Sequence, residues 1–170
     1  ITTIPRLLLL LCNHPKSFEK VINEIYSLKK HENIHENEEN TRKIYNLTFL
    51  RKCILETLRL NNPVITTLRT LKKNYTFDGK YSFKKGTQFL ILNNPILRDP
   101  DYFKEPNKFI PERWTDEMEK SYYSISFNQG PQRCPAKELA IFLAQSFIYN
   151  FVLVKNIGKT QIITKQINTE

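Results

Sequence analysis

Histidine and cysteine are both scarce, with three of each in 170 residues. His14, His31 and His35 all lie in the first part of the chain, far from Cys134. A cysteine nucleophile needs a base within reach, so the thiol-hydrolase class is disfavoured. His31 and His35 sit four apart and could share a helical face, but with no third ligand nearby they read as a solvated pair rather than a metal site. Cys12, Cys53 and Cys134 form no disulfide framework. A reducing setting follows, either the cytoplasm or the cytosolic face of a membrane.

No long hydrophobic run is present. Leu7 to Cys12 is continuous but far too short to span a bilayer, and it lacks the basic start and cleavage site of a signal peptide. Internal repeats and low-complexity tracts are absent. The chain opens with Ile1 inside an apolar stretch, which reads as a piece of a longer polypeptide, with any targeting segment or membrane anchor upstream. Acidic residues are outnumbered 17 to 26, giving a formal charge of +9. The lysines are scattered, with no basic helix or aromatic-basic ribbon, so no nucleic-acid partner is expected. A basic face that docks an acidic protein is the more specific reading.

The periodicity predicts a helix ending near Cys12, a second opening at Pro15 with Phe18, Val21, Ile22, Ile25 and Leu28 on one face, and a third over Leu47–Leu60. Lys29 to Asn40 is polar and reads as a linker. Val64 to Leu71 reads as a strand. Tyr75–Phe77 and Tyr81–Phe83 flank Asp78-Gly79 as a hairpin, and a further strand covers Thr87–Leu92. Asp99-Pro100 could open a short helix. Lys104–Ser126 is an irregular, aromatic-rich meander. Ala136–Val152 is a last helix, apolar on more than one face and so expected to be largely buried. Val154–Ile167 reads as one or two short strands.

The most informative stretch is Phe127-Asn128-Gln129-Gly130-Pro131-Gln132-Arg133-Cys134-Pro135-Ala136. It places a thiol where a glycine-bearing loop turns into a helix. The free N–H groups and partial positive charge of a helix N-terminus favour an anion there. Gly130 permits a left-handed backbone, and Pro135 suits a first helical position. From the loop alone two readings stay open: a small buried apolar side chain, or a thiolate held as a soft metal ligand.

Three elements precede this loop in order. Glu56-Thr57-Leu58-Arg59 lies on the third helix, with its charges three apart on one face. Arg69 lies on the strand that follows. Pro111-Glu112-Arg113-Trp114 lies in the meander. Glu39-Asn40-Thr41-Arg42 also fits Glu-x-x-Arg but sits in the polar linker. Taken together, in this order, these elements resemble the C-terminal part of a cytochrome P-450, the haem-thiolate monooxygenase family. The resemblance covers nearly the whole chain.

The resemblance implies a mainly α fold with a smaller antiparallel β-sheet (α+β), with residues 1–170 as one partial domain. It implies haem b bound through Cys134 as the axial iron ligand, with no further catalytic residue in this stretch. Phe127 would pack beside the ligand, and Gly130 would let the loop approach the porphyrin. Arg69 would reach a haem propionate. Gln132, Arg133 and Ala136 would complete the contacts, Gln132 standing where the family has Arg or His and Ala136 where it has Gly. Trp114 stands where Phe is commoner. Glu56, Arg59 and Arg113 would form the family's structural cluster, and Val64, Ile65, Thr66, Thr67 and Leu68 would line part of the substrate pocket.

The implied activity is insertion of one oxygen atom of O2 into an apolar small molecule, with electrons from a redox partner. Arg133 and Lys137 beside the cysteine suit an acidic reductase or ferredoxin. A haem-thiolate isomerase, dehydratase or peroxygenase, or an inactive remnant, are the alternatives. The family's distal acid-alcohol pair would fall just before Ile1, so the 170 residues alone are expected to be inactive.

Overall fold

The computed structural model describes residues 2–29, 42–155 and 157. Helix α1 (Thr3–Asn13) buries Leu7 and Leu11, one turn apart, and tolerates Pro5 because it falls in the first turn. Helix α2 (Pro15–Lys29) opens on proline and buries Phe18, Val21 and Ile25, the face its spacing predicts. Helix α3 (Thr48–Leu60) is the centre of the molecule, packed by α1, α2 and the last helix. Its second half, Cys53 to Leu60, is buried all round rather than along one stripe.

That helix carries no side-chain cap of its own. Glu24 of α2 supplies one instead: its two carboxylate oxygens accept from the N–H groups of Phe49 and Leu50 at 2.8 and 3.0 Å. A carboxylate at this end satisfies orphan donors and opposes the helix dipole.

Two small antiparallel pairs follow. Strand β1 (Thr66–Thr70) pairs with β4 (Gln88–Leu92), Leu68 opposite Leu90. Strands β2 (Tyr75–Phe77) and β3 (Tyr81–Phe83) form a hairpin. Asp78 and Gly79 both take positive φ, 52° and 64°, in the three-residue connection, and the Lys80 N–H closes the turn on the Phe77 carbonyl at 3.1 Å. The fold is therefore mainly helical with a smaller antiparallel part, as expected.

Three expectations need correction. Helix α4 is Asn93–Leu97, ahead of Asp99-Pro100, where the chain only turns. It starts as soon as β4 ends, and its Asn93 and Leu97 are buried. The meander is not wholly irregular: α5 (Asp116–Lys120) lies in it, capped by Thr115, whose hydroxyl accepts from the Met118 N–H. The last helix, α6 (Lys137–Val154), begins after Pro135 and Ala136 and is buried on one side only. Ile141, Ala144, Gln145, Ile148, Tyr149 and Val152 face the core, while Leu139, Leu143 and Phe147 are exposed. It is long and apolar enough to cross a membrane by length and composition, as core helices also are. Most of the linker with His31 and His35, and most of the expected C-terminal strands, lie outside the described residues; Val154 ends α6.

Candidate cofactor site around Cys134

The Glu56 carboxylate, wholly buried, is the anchor of this region. Arg59 meets it side-on through Nε and Nη2 at 2.9 and 2.8 Å. Arg113 Nε donates to it at 3.1 Å and the Ile110 N–H at 2.9 Å. The Trp114 indole N–H completes the set at 2.8 Å. Arg59 has Nη1 left to donate to the carbonyls of Leu97 and Pro106, and its Nη2 also donates to that of Lys108. A buried ion pair is tolerable only when every remaining donor is satisfied, and here the backbone of α4 and the meander does this. The three residues expected to cluster are thus brought together, and Trp114 joins them.

A second polar group lies nearer the cysteine. Arg51 of α3 donates to Glu119 of α5 and to Glu138 of α6. Lys137 pairs with Glu119 at 2.7 Å. Burial disfavours the Glu119 charge, yet hydrogen bonds from Arg51 and Lys137 outweigh it and hold its pKa below the ordinary carboxylate value. The Arg51 hydrogen bond does the same for Glu138. This network ties three helices together at the residues just past Cys134. It also corrects the view of Lys137 as a free positive charge beside the cysteine, since Glu119 neutralises it locally.

The cysteine loop is closed by its backbone. The Cys134 N–H donates to the Phe127 carbonyl at 2.8 Å. Gly130 takes φ +73°, and a Cβ there would meet nothing within 4 Å, so the backbone rather than crowding calls for glycine. Gln129 Nε2 donates to the carbonyls of Ser121 and Ser124, fastening the loop to the meander. Cys134 is half-buried on a cleft of about 720 Å³ that Phe127, Gln129, Pro131, Arg133 and Pro135 also line. Phe127 packs against the main core, whereas Gln132, Arg133 and Ala136 are exposed.

Arg69 is half-buried, and its guanidinium donates to the Leu68 carbonyl at 2.9 Å. Val64 and Ile65, just ahead of β1, are exposed, as are Thr66 and Leu68 within it. Thr67 turns the other way, into the protein, as strand alternation demands. Sequence reasoning passed over Arg51, Glu119, Glu138 and Asn128; their partners lie far along the chain, and no local spacing announces them.

The cytochrome P-450 family model matches residues 1–153. The chain belongs to the cytochrome P-450 family. It is 33% identical over 149 residues to a taxoid 7-beta-hydroxylase of Taxus cuspidata, covering 86% of this chain and 29% of that protein. It is 30% identical over 145 residues to a probable mitochondrial cytochrome P-450 (12d1 proximal) of Drosophila melanogaster, covering 81% and 27%. The crystal structure of the cytochrome P-450DA heme domain matches with a TM-score of 0.73 at 21% identity, covering 86% of this chain and 32% of that one, a likeness of fold. The chain thus spans under a third of the length of these relatives. Membership of the cytochrome P-450 family implies a haem cofactor.

Proposed function

We propose that these residues form the thiolate-bearing part of a haem monooxygenase, in which Cys134 would hold haem b through its sulfur. The observation that carries this reading is the loop itself. A half-buried thiol opens onto a cleft, and its own N–H is held by the Phe127 carbonyl. The residues suit such a group: a soft sulfur donor and a left-handed glycine in the turn, with the Arg69 guanidinium, outside the residues lining the cleft, chemically suited to a carboxylate. When bound, thiolate-ligated haem iron supplies dioxygen activation, the sulfur pushing electron density that favours O–O cleavage.

The chain's own residues do the positioning. The Glu56–Arg59–Arg113–Trp114 cluster locks the meander to α3, and the meander carries the loop. Phe127 lines the same cleft as Cys134 and on this reading limits the access of water to the sulfur. Exposed Leu68 on β1, with exposed Val64 and Ile65 just ahead of the strand, offers apolar contact to a small organic substrate. Electrons come from an acidic reductase or ferredoxin drawn by the basic surface, which includes exposed Arg133. The 170 residues by themselves are inactive on this reading.

The test is haem loading of the full natural polypeptide carrying these residues, with and without Cys134→Ala. The native protein should give the thiolate-type spectrum of the reduced carbonyl complex, and the variant should lose it. An unchanged spectrum in the variant would overturn the ligand assignment. Product formation without any reductase would favour the isomerase or peroxygenase class instead.

A further inference from the structure

Asn128 sits at φ 59°, ψ 170°. This is not the left-handed helical region that asparagine tolerates, where ψ lies near +47°. It is the extended positive-φ region that is close to glycine-only, and a side chain there persists only when its surroundings hold it. The surroundings do so from two directions. The Asn128 N–H donates to the Ile125 carbonyl at 2.9 Å. Its side-chain Oδ1 accepts from the Thr67 hydroxyl of β1 at 3.2 Å.

Thr67 is itself set by a buried neighbour. Asn93, at the start of α4, donates through Nδ2 to the Val64 carbonyl at 2.8 Å and to the Thr67 oxygen at 3.4 Å. With its oxygen accepting from Asn93, the Thr67 hydroxyl has its proton free for Asn128. The result is a directed relay from Asn93 through Thr67 to Asn128, with Thr67 and Asn93 both buried. Satisfied chains of this kind in a low-dielectric interior define one geometry.

The geometry they define is that of the cysteine. The peptide plane between Phe127 and Asn128 carries both the Asn128 N–H and the Phe127 carbonyl that accepts from Cys134. Rotation about the Asn128 N–Cα bond swings that plane relative to the Asn128 side chain. Fixing the side chain on Thr67 therefore fixes the carbonyl that holds the Cys134 backbone.

We propose that Asn128 is a positioning residue for Cys134, and that the Thr67–Asn128 hydrogen bond ties the cysteine loop to strand β1. Its consequence for catalysis rests on the haem-thiolate reading. The strand whose other face would meet substrate is then in direct register with the loop bearing the iron ligand.

The test measures alkylation of Cys134 by iodoacetamide, resolved by peptide mass spectrometry, in the haem-free full natural polypeptide. Cys12 and Cys53 serve as internal controls for global opening. Asn128→Gly and Thr67→Val should each raise the Cys134 rate about five-fold, the worth of one hydrogen bond. The two control cysteines should not change, and thermal stability should not fall in Asn128→Gly, because glycine accepts the backbone without strain. The double variant should exceed neither single one, and Thr67→Ser should restore the native rate. After haem loading, the single variants should lose the thiolate-type carbonyl spectrum faster than the native protein.

An unchanged Cys134 rate in both single variants overturns the proposal, as does an equal rise at Cys53 or full additivity in the double variant. Haem uptake by the native protein judges the cofactor reading separately. No uptake, with Cys134 labelling still governed by Thr67 and Asn128, would remove that reading and leave the positioning role standing.

Discussion

The indole N–H of Trp114 donates to Glu56 at 2.8 Å, inside a site where Glu56 is wholly buried and Trp114 nearly so. Trp114 therefore adds a donor to a carboxylate already held by Arg59 and Arg113. Trp114→Phe keeps the ring but removes the N–H. Loss of a hydrogen bond to a charged, buried acceptor should cost about 1.5–3 kcal/mol. Urea denaturation checks this, and a loss below about 0.5 kcal/mol, the scale of an ordinary surface substitution, would mean that the indole contributes only its shape.

The Arg51–Glu119–Lys137–Glu138 network gives a pH signature with a definite sign. The folded pKa values of Glu119 and Glu138 lie below the ordinary value of 4.5. Their contribution to stability is thus fully present above about pH 4.5 and is lost as pH falls through the lower folded values. Melting temperature followed from pH 6 downwards should fall less steeply in Glu119→Gln than in the native protein. Parallel curves would show that these carboxylates are not linked to folding.

Gly130 takes positive φ in the turn that leads to Cys134. Gly130→Ala meets no steric obstacle, since a Cβ there has open space. The left-handed backbone alone should cost about 1–2 kcal/mol. Gly130→Asn should cost less, because asparagine visits that region more readily. Equal losses for Ala and Asn would point to a contact that the open space does not suggest.

Lys137 and Arg133 both flank Cys134, but only Arg133 is exposed and without a carboxylate partner among the described contacts, while Lys137 is held by Glu119. Arg133→Glu should slow reduction of the loaded full-length protein several-fold at low salt, and the effect should shrink as ionic strength rises. Lys137→Glu should instead lower stability by setting two carboxylates together. A reduction rate that ignores charge at position 133 would remove that residue from the docking surface.

Much of the fold was legible because the signals are local. The apolar spacing in α2 reports a helix face directly, and Asp78-Gly79 between two aromatic strands announces its hairpin. Helix α4 was not legible, because five residues with an internal proline carry no period; burial of Asn93 and Leu97 makes the segment helical. The one-sided exposure of α6 was equally hidden. A helix apolar on more than one face does not say which face a neighbour will cover.

The same division runs through the site. Order and residue type along the chain picked out Cys134, the Glu56–Arg59 pair and Arg113 only when read together as a family resemblance; singly, the Glu-x-x-Arg spacing recurs at Glu39–Arg42, and the glycine loop leaves the role of its thiol open. Tertiary packing alone decided which groups meet across long separations. Arg51 finds Glu119 and Glu138 at 68 and 87 residues' distance, Trp114 finds Glu56 at 58, and Thr67 finds Asn128 at 61. Hydrogen bonds and ion pairs form between whatever groups packing brings within about 3 Å, and sequence periodicity holds no record of that approach. The amino-acid sequence singled out Cys134 and the helices around it; the folded structure decided what holds the cysteine loop in place.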